Sequence, residues 1–374
     1  MGEGDLESCW QTWKHLFLAA VKDNTPNKRL RGRNPVPWLT GAVINLNKKE
    51  ETVRRKLKLH PSESLKVKFQ TLRSQVKRAI RESRDEFFDS ANIEFKINPK
   101  RLWSVLKTRS KSLNIPQSVS MATGNLRATA DTPEEIADIF NNYYTSVFSA
   151  LQEDKVDNGA GKFPAAEPPF SDIVLYVGEV EAVLKSLDPN KATCPDEIPA
   201  RIQKETTTTT APSLCKLFNR SLGVGYIPSE WKLANVVPVH KKDEKGHVEN
   251  YRPISLLCII SKVLEHCVLN HIKDRLEDLI AVCQHGFRSG RSCFTNLLET
   301  LDYIRAILHR AGQVDCVYLD MSKAFDKVRH DLLMEKLRDA GFGGNVLTRF
   351  HAYLCGRRQR VTVLGVTSRD LPVI

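Results

Sequence analysis

Residues 317–330 read VYLDMSKAFDKVRH, and this stretch decides which fold we expect for the chain. Residues 314–320, VDCVYLD, are nearly all apolar, which is typical of a β-strand buried on both faces, and Asp320 stands where that strand would end. Sheets of α/β proteins bind ligands at this edge, so position favours Asp320 over Asp326, which falls in the following turn. A carboxylate at a strand end can hold Mg²⁺ together with substrate phosphates. The plainer alternative is that Asp320 only caps the turn.

Helices and strands surround this stretch, and no internal repeat links them. Apolar residues spaced by three and four predict the helices, and short apolar or alternating runs predict the strands. Thr132, Pro133 and Glu135 form a capping-box signal for a helix that should end near Phe148. The other predicted helices lie within residues 46–90, 98–107, 179–187, 214–222, 260–276, 297–308 and 330–341. The predicted strands are residues 232–239, residues 314–320 and an edge hairpin at 357–374.

The composition is that of an ordinary globular protein. The chain has 374 residues, of which 41% are hydrophobic, and this length allows two or more domains. No apolar run approaches the roughly 18 residues of a membrane span, and the first residues lack a signal-peptide pattern. The nine cysteines are scattered singly without a CxxC pair, so we interpret them as reduced thiols. These features predict a soluble, intracellular protein without a membrane partner.

Positive charge is concentrated in one part of the chain. The net charge is +12, with −2 in residues 1–20, +15 in residues 21–120 and −1 in residues 121–374. Such a basic segment is expected of a protein that binds nucleic acid, although a solvated basic helix face gives the same pattern.

Residues 151–170 are polar, contain Gly and Pro and have no period, so we place the domain boundary there. We therefore expect a basic helical region at 1–165 and a second region at 166–374.

Four stretches of the second region carry a family resemblance. They are NVVPVHKKDEKGHVENYRPISLL, QHGFRSGRSCFTNLLETLDYI, VYLDMSKAFDKVRHDLLMEKL and YLCGRRQRVTVLG, beginning at residues 235, 284, 317 and 353. In this order and spacing they resemble the reverse transcriptases of non-LTR retrotransposons, most closely the jockey-like group. The resemblance implies an α+β fold: a basic helical N-terminal extension, then the fingers to about residue 310 and part of the palm of a right-hand polymerase at 311–374.

The same resemblance implies roles for individual residues. Asp320 is the first metal-binding catalytic aspartate, the peptide carbonyl of Met321 is a further ligand, and Mg²⁺ is the metal. Phe325 is the bulky side chain that excludes a ribose 2′ hydroxyl and so selects deoxynucleoside triphosphates. The finger residues that grip the triphosphate are Arg252 and Lys241, with Lys242 as the close rival. Without the resemblance, the loop containing both lysines would be interpreted as a solvated turn.

Two arginines and the second aspartate have alternative interpretations. Arg288 and Arg291 either contact the template backbone or, equally well, stabilise the start of the following helix. Asp326 orients its turn or pairs with Arg329 or His330.

The sequence departs from the family pattern at two places. Cys194 and Glu197 replace both glycines of a loop that usually reads KAPGPDGIP, which predicts strain wherever a positive φ is required. No ADD or YxDD string occurs, and we expect the chain to end before the second catalytic motif. The predicted function is RNA-directed DNA synthesis in a mobile element, with an RNA template and a DNA primer, and with residues 1–374 inactive alone.

Two other functions remain open at this stage. The chain could be a non-catalytic nucleic-acid-binding remnant of such an element, and a maturase-like splicing cofactor is a weaker alternative. The resemblance also predicts a nuclear location, for which KRLRGR at 28–33 is a candidate import signal. The sequence carries no signal for an oligomeric state.

Overall fold

A computed structural model describes residues 3–26, 38–97, 115–123, 126–148, 169–191, 194–321 and 323–373 of the chain. The helices are α1 Glu3–Asn24, α2 Gly41–Leu59, α3 Glu63–Ile97, α4 Pro133–Ser146, α5 Val177–Ser186, α6 Ala200–Glu205, α7 Thr207–Val224, α8 Ile259–Leu279, α9 Cys293–His309, α10 His330–Asp339 and α11 Gly344–Leu354. The strands are β1 Val119–Thr123, β2 Leu126–Ala130, β3 Leu233–His240, β4 Tyr251–Leu256, β5 Arg357–Val363, β6 Val366–Thr367 and β7 Leu371–Val373. Among these helices, none has the length and apolar character to cross a bilayer.

The chain forms two compact units. One comprises Thr25–Leu113, and the other combines Met1–Asn24 with Asn114–Ile374. The predicted boundary near residue 165 lies outside the described residues, and the two units divide the chain at other points. Helix α1 and residues 115–148 therefore belong to the same compact unit as the region that contains Asp320.

The smaller unit contains a helical hairpin, as the spacing of apolar residues within 46–90 predicts. Helix α2 starts at Thr40, whose side chain accepts a hydrogen bond from the Val43 amide at 3.4 Å. The helix ends at Leu59 because Pro61 follows, and the residue before a proline avoids helical conformation. Helix α3 then packs against α2 through a mostly apolar stripe that includes Val76. The predicted helix at 98–107 lies outside the described residues.

Helices build the main core of the larger unit. Buried side chains of α1, α5, α7, α8 and α11 form one apolar cluster. Trp10 of α1 is fully buried there and meets Trp231 edge to face, with ring centroids 5.2 Å apart. Its indole Nε1–H donates to Glu230 at 2.8 Å, so its polar atom is paired despite burial. Helix α7 ends at Gly225, whose φ of +69° is the left-handed conformation that closes a helix.

A mixed sheet forms the second core of this unit. Strand β3 pairs antiparallel with β4 and parallel with β5, and β5 pairs antiparallel with β6 and β7. Helix α4 packs on this sheet through Ile136, Phe140 and Tyr144. Buried Asn141 fixes the helix in place, since its amide donates to Arg369 O at 2.8 Å and its Oδ1 accepts from Gln359 at 3.1 Å.

Most predicted elements are confirmed, including the complete capping box of α4 and the end of α10 at Gly341, where φ is +81°. One prediction needs correction here, and several elements were not predicted. Residues 251–256 form the unpredicted strand β4, because they fold back antiparallel on β3. The C-terminal hairpin is not a simple edge, since β5 has β3 on one side and β6 and β7 on the other. Helices α1, α6 and α11 and strands β1 and β2 were also not predicted.

Candidate active site

The segment around Asp320 differs most from its sequence-based prediction. Residues 312–321 form no strand, and Tyr318 and Leu319 are 88% and 87% exposed. The prediction of a buried strand at 314–320 is therefore wrong for this structure. An apolar run becomes a strand only when a neighbour supplies hydrogen bonds and a layer covers its faces, and the described residues supply neither. Helix α9, just upstream, likewise has no buried residue.

The carboxylate of Asp320 has no protein partner among the residues that the structure describes. It is exposed, and within the described part of the chain no hydrogen bond or ion pair engages it. A turn follows, closed by a hydrogen bond from the Asp326 amide to Lys323 O at 3.0 Å. Because this bond is made by the backbone, it does not decide between the alternative roles of the Asp326 side chain. Arg329 hydrogen-bonds Asp331 and so lowers the pKa of that carboxyl to about 2.

Lys323 connects this turn to the sheet-covering helix. Its Nζ lies 2.8 Å from the Tyr143 hydroxyl and 4.4 Å from the ring centroid of the same residue, a cation–π geometry. Lys323 itself has a φ of +55°, which is uncommon for a residue with a side chain. Tyr143 belongs to α4, so a helix that the sequence placed in a separate basic region contributes directly to the surroundings of Asp320.

Phe325, the expected sugar-selecting residue, is 78% exposed. Its ring meets Phe287 edge to face, with the ring centroids 5.9 Å apart. Phe287 stands in the loop before α9 with a φ of +62°. Two of the four family-like stretches therefore touch through aromatic side chains, although 38 positions separate them in the sequence.

The three expected phosphate-gripping residues lie on the β3–β4 hairpin. Cα register pairs Arg252 with Val239, and both are exposed on one face of the sheet. Lys241 follows Val239 by two positions, and its amide donates to Asn250 O at 2.8 Å. Because side chains alternate along a strand, Lys241 and Arg252 project from the same face. Lys242 instead pairs with its neighbour Asp243 at 3.8 Å, which favours Lys241 of the two lysines.

The hairpin residues and Asp320 are not joined directly. Across the described part of the chain, no hydrogen bond or ion pair links Asp320 to Lys241, Lys242 or Arg252. The structure places Lys241 and Arg252 on one hairpin and brings Phe325 into contact with Phe287. Neither pair is joined to Asp320 by a hydrogen bond or ion pair within the described residues.

The loop before α9 is held by acidic partners. Arg288 pairs with Glu277 at 2.8 Å, and Arg291 lies 3.7 Å from Glu299. Buried His285 bonds the same Glu299 at 2.6 Å through Nε2. These contacts support the helix-entry alternative for both arginines, since each already has a carboxylate partner.

Sequence reasoning missed a buried carboxyl group beside the start of α8. Asp196 is fully buried and accepts hydrogen bonds from the Cys258 thiol at 2.9 Å and the Ile198 amide at 3.3 Å. Burial raises the pKa of Asp196 above its ordinary value. The contact with Cys258 anchors the loop at 187–199 to the start of α8. The only signal in the sequence was the position of Asp196 between two prolines, which indicates a turn but not its burial.

Glu197, next in the chain, confirms the predicted strain. Its φ is +60°, the left-handed region that a glycine adopts freely and other residues rarely do. Cys194, the other position where the family has glycine, does not have a positive φ. The glycine-to-glutamate departure is therefore the strained one.

The fit of a divalent metal rests on Asp320. No group of three or more His, Cys, Asp or Glu side chains suited to a metal is found within the described residues. One exposed carboxylate is compatible with Mg²⁺, which is commonly held by one or two carboxylates plus water and phosphate oxygens. A two-metal centre requires more carboxylate than these residues provide.

Comparison with known proteins identifies the region that contains these groups. Residues 239–367 match the family model described as "Reverse transcriptase (RNA-dependent DNA polymerase)". The matched region begins just before Lys241 and includes Arg252, Asp320 and Phe325.

Several curated proteins are similar over a larger part of the chain. "Probable RNA-directed DNA polymerase from transposon BS" of Drosophila melanogaster is 26% identical over 71% of the chain and 30% of its own length. "RNA-directed DNA polymerase from mobile element jockey" of Drosophila funebris shows the same identity and shares, 26%, 71% and 30%. The protein of that name from Drosophila melanogaster is 28% identical over 55% of the chain and 22% of its own length. The chain thus spans less than a third of the length of these relatives.

The family match and the motif order show that residues 239–367 are similar to a reverse transcriptase domain. Within that class, the chain is similar to the RNA-directed DNA polymerases of jockey elements from Drosophila.

Proposed function

We propose that the protein containing this chain is an RNA-directed DNA polymerase that copies an RNA template from a DNA primer with deoxynucleoside triphosphates. The family match over residues 239–367 carries this proposal, because the groups that the reaction needs lie within it. Lys241 and Arg252 share one exposed face of the β3–β4 hairpin. Arginine suits this task because its planar guanidinium meets phosphate oxygens with two parallel hydrogen bonds.

Asp320 is the proposed catalytic and metal-binding residue, with the carbonyl of Met321 as a further ligand. A bound divalent ion, for which we propose Mg²⁺, would activate the primer hydroxyl and neutralise charge on the leaving pyrophosphate. The free carboxylate of Asp320 supports this role, since no protein cation competes for it within the described residues. Phe325 is the proposed steric filter against ribonucleotides.

The proposal is tested by primer extension on an RNA template with Mg²⁺. Asp320→Asn in the full-length protein should abolish synthesis while template affinity stays nearly unchanged, because the amide keeps the shape but loses the charge that binds the metal. Asp326→Asn is the matched control and should retain synthesis. Retained synthesis by Asp320→Asn would remove that residue from its proposed role.

We also propose that residues 1–374 do not extend a primer by themselves, since Asp320 is one carboxylate and the chemistry needs several. Primer extension by this chain alone would disprove that statement. The competing function, a nucleic-acid-binding protein without catalysis, is favoured by the basic α2–α3 hairpin. Synthesis by the full-length protein that is sensitive to Asp320 would exclude it.

We propose a nuclear location, with KRLRGR at 28–33, outside the described residues, as the import signal. Replacing its four basic residues with alanine in a fluorescent fusion should shift the protein to the cytoplasm. An unchanged distribution would reject this segment as the signal.

A further inference from the structure

The α2–α3 hairpin has a strongly asymmetric charge distribution along its length. Residues 41–84 carry a net charge of +9, whereas residues 85–97 carry −3. The acidic end contains an aromatic cluster in which Trp38 lies 5.9 Å from Phe87 and 5.7 Å from Phe88, between ring centroids. One end of the hairpin is therefore anchored by aromatic packing, and the remainder presents cations.

The cations of this basic part fall into two groups. Arg54 and Arg55 pair with Glu51, Lys66 pairs with Glu63, and Arg78 pairs with Glu82. These four are neutralised locally by the helix that bears them. The second group comprises the other nine cations of residues 41–84, which have no ion pair with any described residue. Four of these nine are Lys48, Lys49, Lys56 and Lys68.

Lys48, Lys49, Lys56 and Lys68 surround a groove between the two helices. The groove has a volume of about 430 Å³, with Val53, Leu65 and Leu72 among its apolar lining residues. It therefore brings together four of the nine unpaired cations of residues 41–84.

The groove's dimensions and lining indicate the kind of ligand. Lys48 and Lys56 are eight residues apart on one helix, a rise of roughly 12 Å. A nucleic-acid duplex carries one phosphate charge per about 1.7 Å of its axis, so several phosphates fall within that distance. None of the residues that line the groove is aromatic. Single-strand binding proteins stack bases on aromatic side chains, so this groove lacks the means to hold an unstacked strand.

We infer that the groove between α2 and α3, lined by Lys48, Lys49, Lys56 and Lys68, binds the phosphate backbone of double-helical RNA without reading base sequence. The choice of RNA over DNA rests on the proposed function, in which RNA is the template. The groove itself belongs to the compact unit Thr25–Leu113, which does not contain Asp320. Backbone binding there fixes the position of a folded RNA but carries no sequence information.

The inference is tested by measuring how affinity for a 20-base-pair RNA duplex depends on salt. The full chain is compared with a variant carrying K48Q, K49Q, K56Q and K68Q. Each lost phosphate contact lowers the slope of log K against log salt by about 0.9, so the slope should fall by roughly 3 to 4. The matched control carries R54Q, R55Q, K66Q and R78Q, which removes the same charge from cations that already have acidic partners. Its slope should change by less than about 1.

Three outcomes would overturn the inference. Equal losses in both variants would show that net charge and not the groove attracts RNA. Tighter binding to single-stranded RNA, duplex DNA or anionic lipid vesicles than to duplex RNA would assign a different occupant. Finally, acetylation of surface lysines on the intact chain should be suppressed by duplex RNA at the four groove lysines more than at Lys66, and uniform suppression would contradict the site.

The Asp320→Asn chain separates this inference from the proposed function. It should bind duplex RNA with the same affinity and salt slope as the unchanged chain, because the groove and Asp320 belong to different units. Failure of the groove variants to lose affinity would reject the groove alone and leave the polymerase proposal to its own primer-extension test.

Discussion

Single residues of the loop before α6 show where the backbone is strained and where it is not. Glu197 and Asp196 are neighbours in one loop, yet one is strained in its backbone and the other is buried with its hydrogen bonds made. The first effect could be anticipated from sequence, because a side chain stands where the family has glycine. The second could not, since burial of Asp196 depends on Cys258, 62 positions later.

Relief of the strain at Glu197 should stabilise the larger unit. Glu197→Gly removes the Cβ that makes a φ of +60° unfavourable, and we expect a gain of about 1 kcal/mol in the free energy of unfolding. Urea denaturation measures it. Glu197→Ala is the control, because alanine keeps the Cβ and should give little of this gain. An equal gain from alanine would show that charge, and not backbone strain, is responsible.

Asp196 should make stability depend on pH. Burial raises its pKa in the folded protein, so the folded state holds the proton more tightly than the unfolded state does. Stability contributed by this group is complete below the unfolded pKa of about 4 and is lost as pH rises toward the folded pKa. Relative to Asp196→Asn, which stays neutral, the unchanged chain should become less stable over that window. Asp274→Asn, an exposed site, should leave the pH profile unaltered, and a parallel profile for both variants would refute the assignment.

At the scale of elements, local sequence signals predicted the helices well but did not predict which helices and strands pack together. The capping box at Thr132 located α4 correctly, because caps and periodicity are properties of neighbouring residues. The sequence could not reveal that α4 covers the sheet, since that contact joins it to β5 more than 200 positions later. The prediction of a strand at 314–320 was wrong for the same reason. Apolar composition shows that a segment favours burial, but burial depends on partner segments that are distant in the sequence.

Helix α1 is expected to be essential for the helical core. Trp10→Ala removes a fully buried indole that touches Trp231, and we expect a loss of about 3–5 kcal/mol in the free energy of unfolding. Urea denaturation of the full chain measures it. Leu16→Ala on the exposed side of the same helix should cost less than about 0.5 kcal/mol. Comparable losses at both positions would mean that the helix acts through its propensity and not through this contact.

The exposed segment before Asp320 should exchange its amide hydrogens rapidly. Residues 313–321 make no backbone hydrogen bond to another described residue, so their amides should exchange at nearly unprotected rates. Peptides from α8, which is buried along one face, provide the protected reference. Protection of residues 313–321 comparable to that of α8 would show that the segment forms a strand in solution.

At the scale of the whole molecule, the compact units do not follow the order of the sequence. The first helix and residues 115–148 join the compact unit that contains the region matched by the reverse transcriptase model, while the basic hairpin between them belongs to the other unit. Composition correctly located the basic segment, because charge density is visible in sequence. The boundary predicted at 151–170 falls almost entirely outside the described residues and stays a prediction, since composition indicates a linker whereas the contacts that define a unit are long-range.

The pairing of β3 with β5 has a consequence for how the protein is made. Roughly 120 residues separate these strands, and at about 5–20 residues per second a ribosome needs some 6–25 s to deliver the second after the first. Throughout that interval the nascent chain exposes an unpaired β3 edge to other newly made copies. Pro238 shortens the vulnerable edge, because it has no amide hydrogen to offer, and the β5 register indeed ends at Val236. Slow translation between these strands would therefore favour aggregation, and chaperone binding during synthesis would favour recovery of soluble protein.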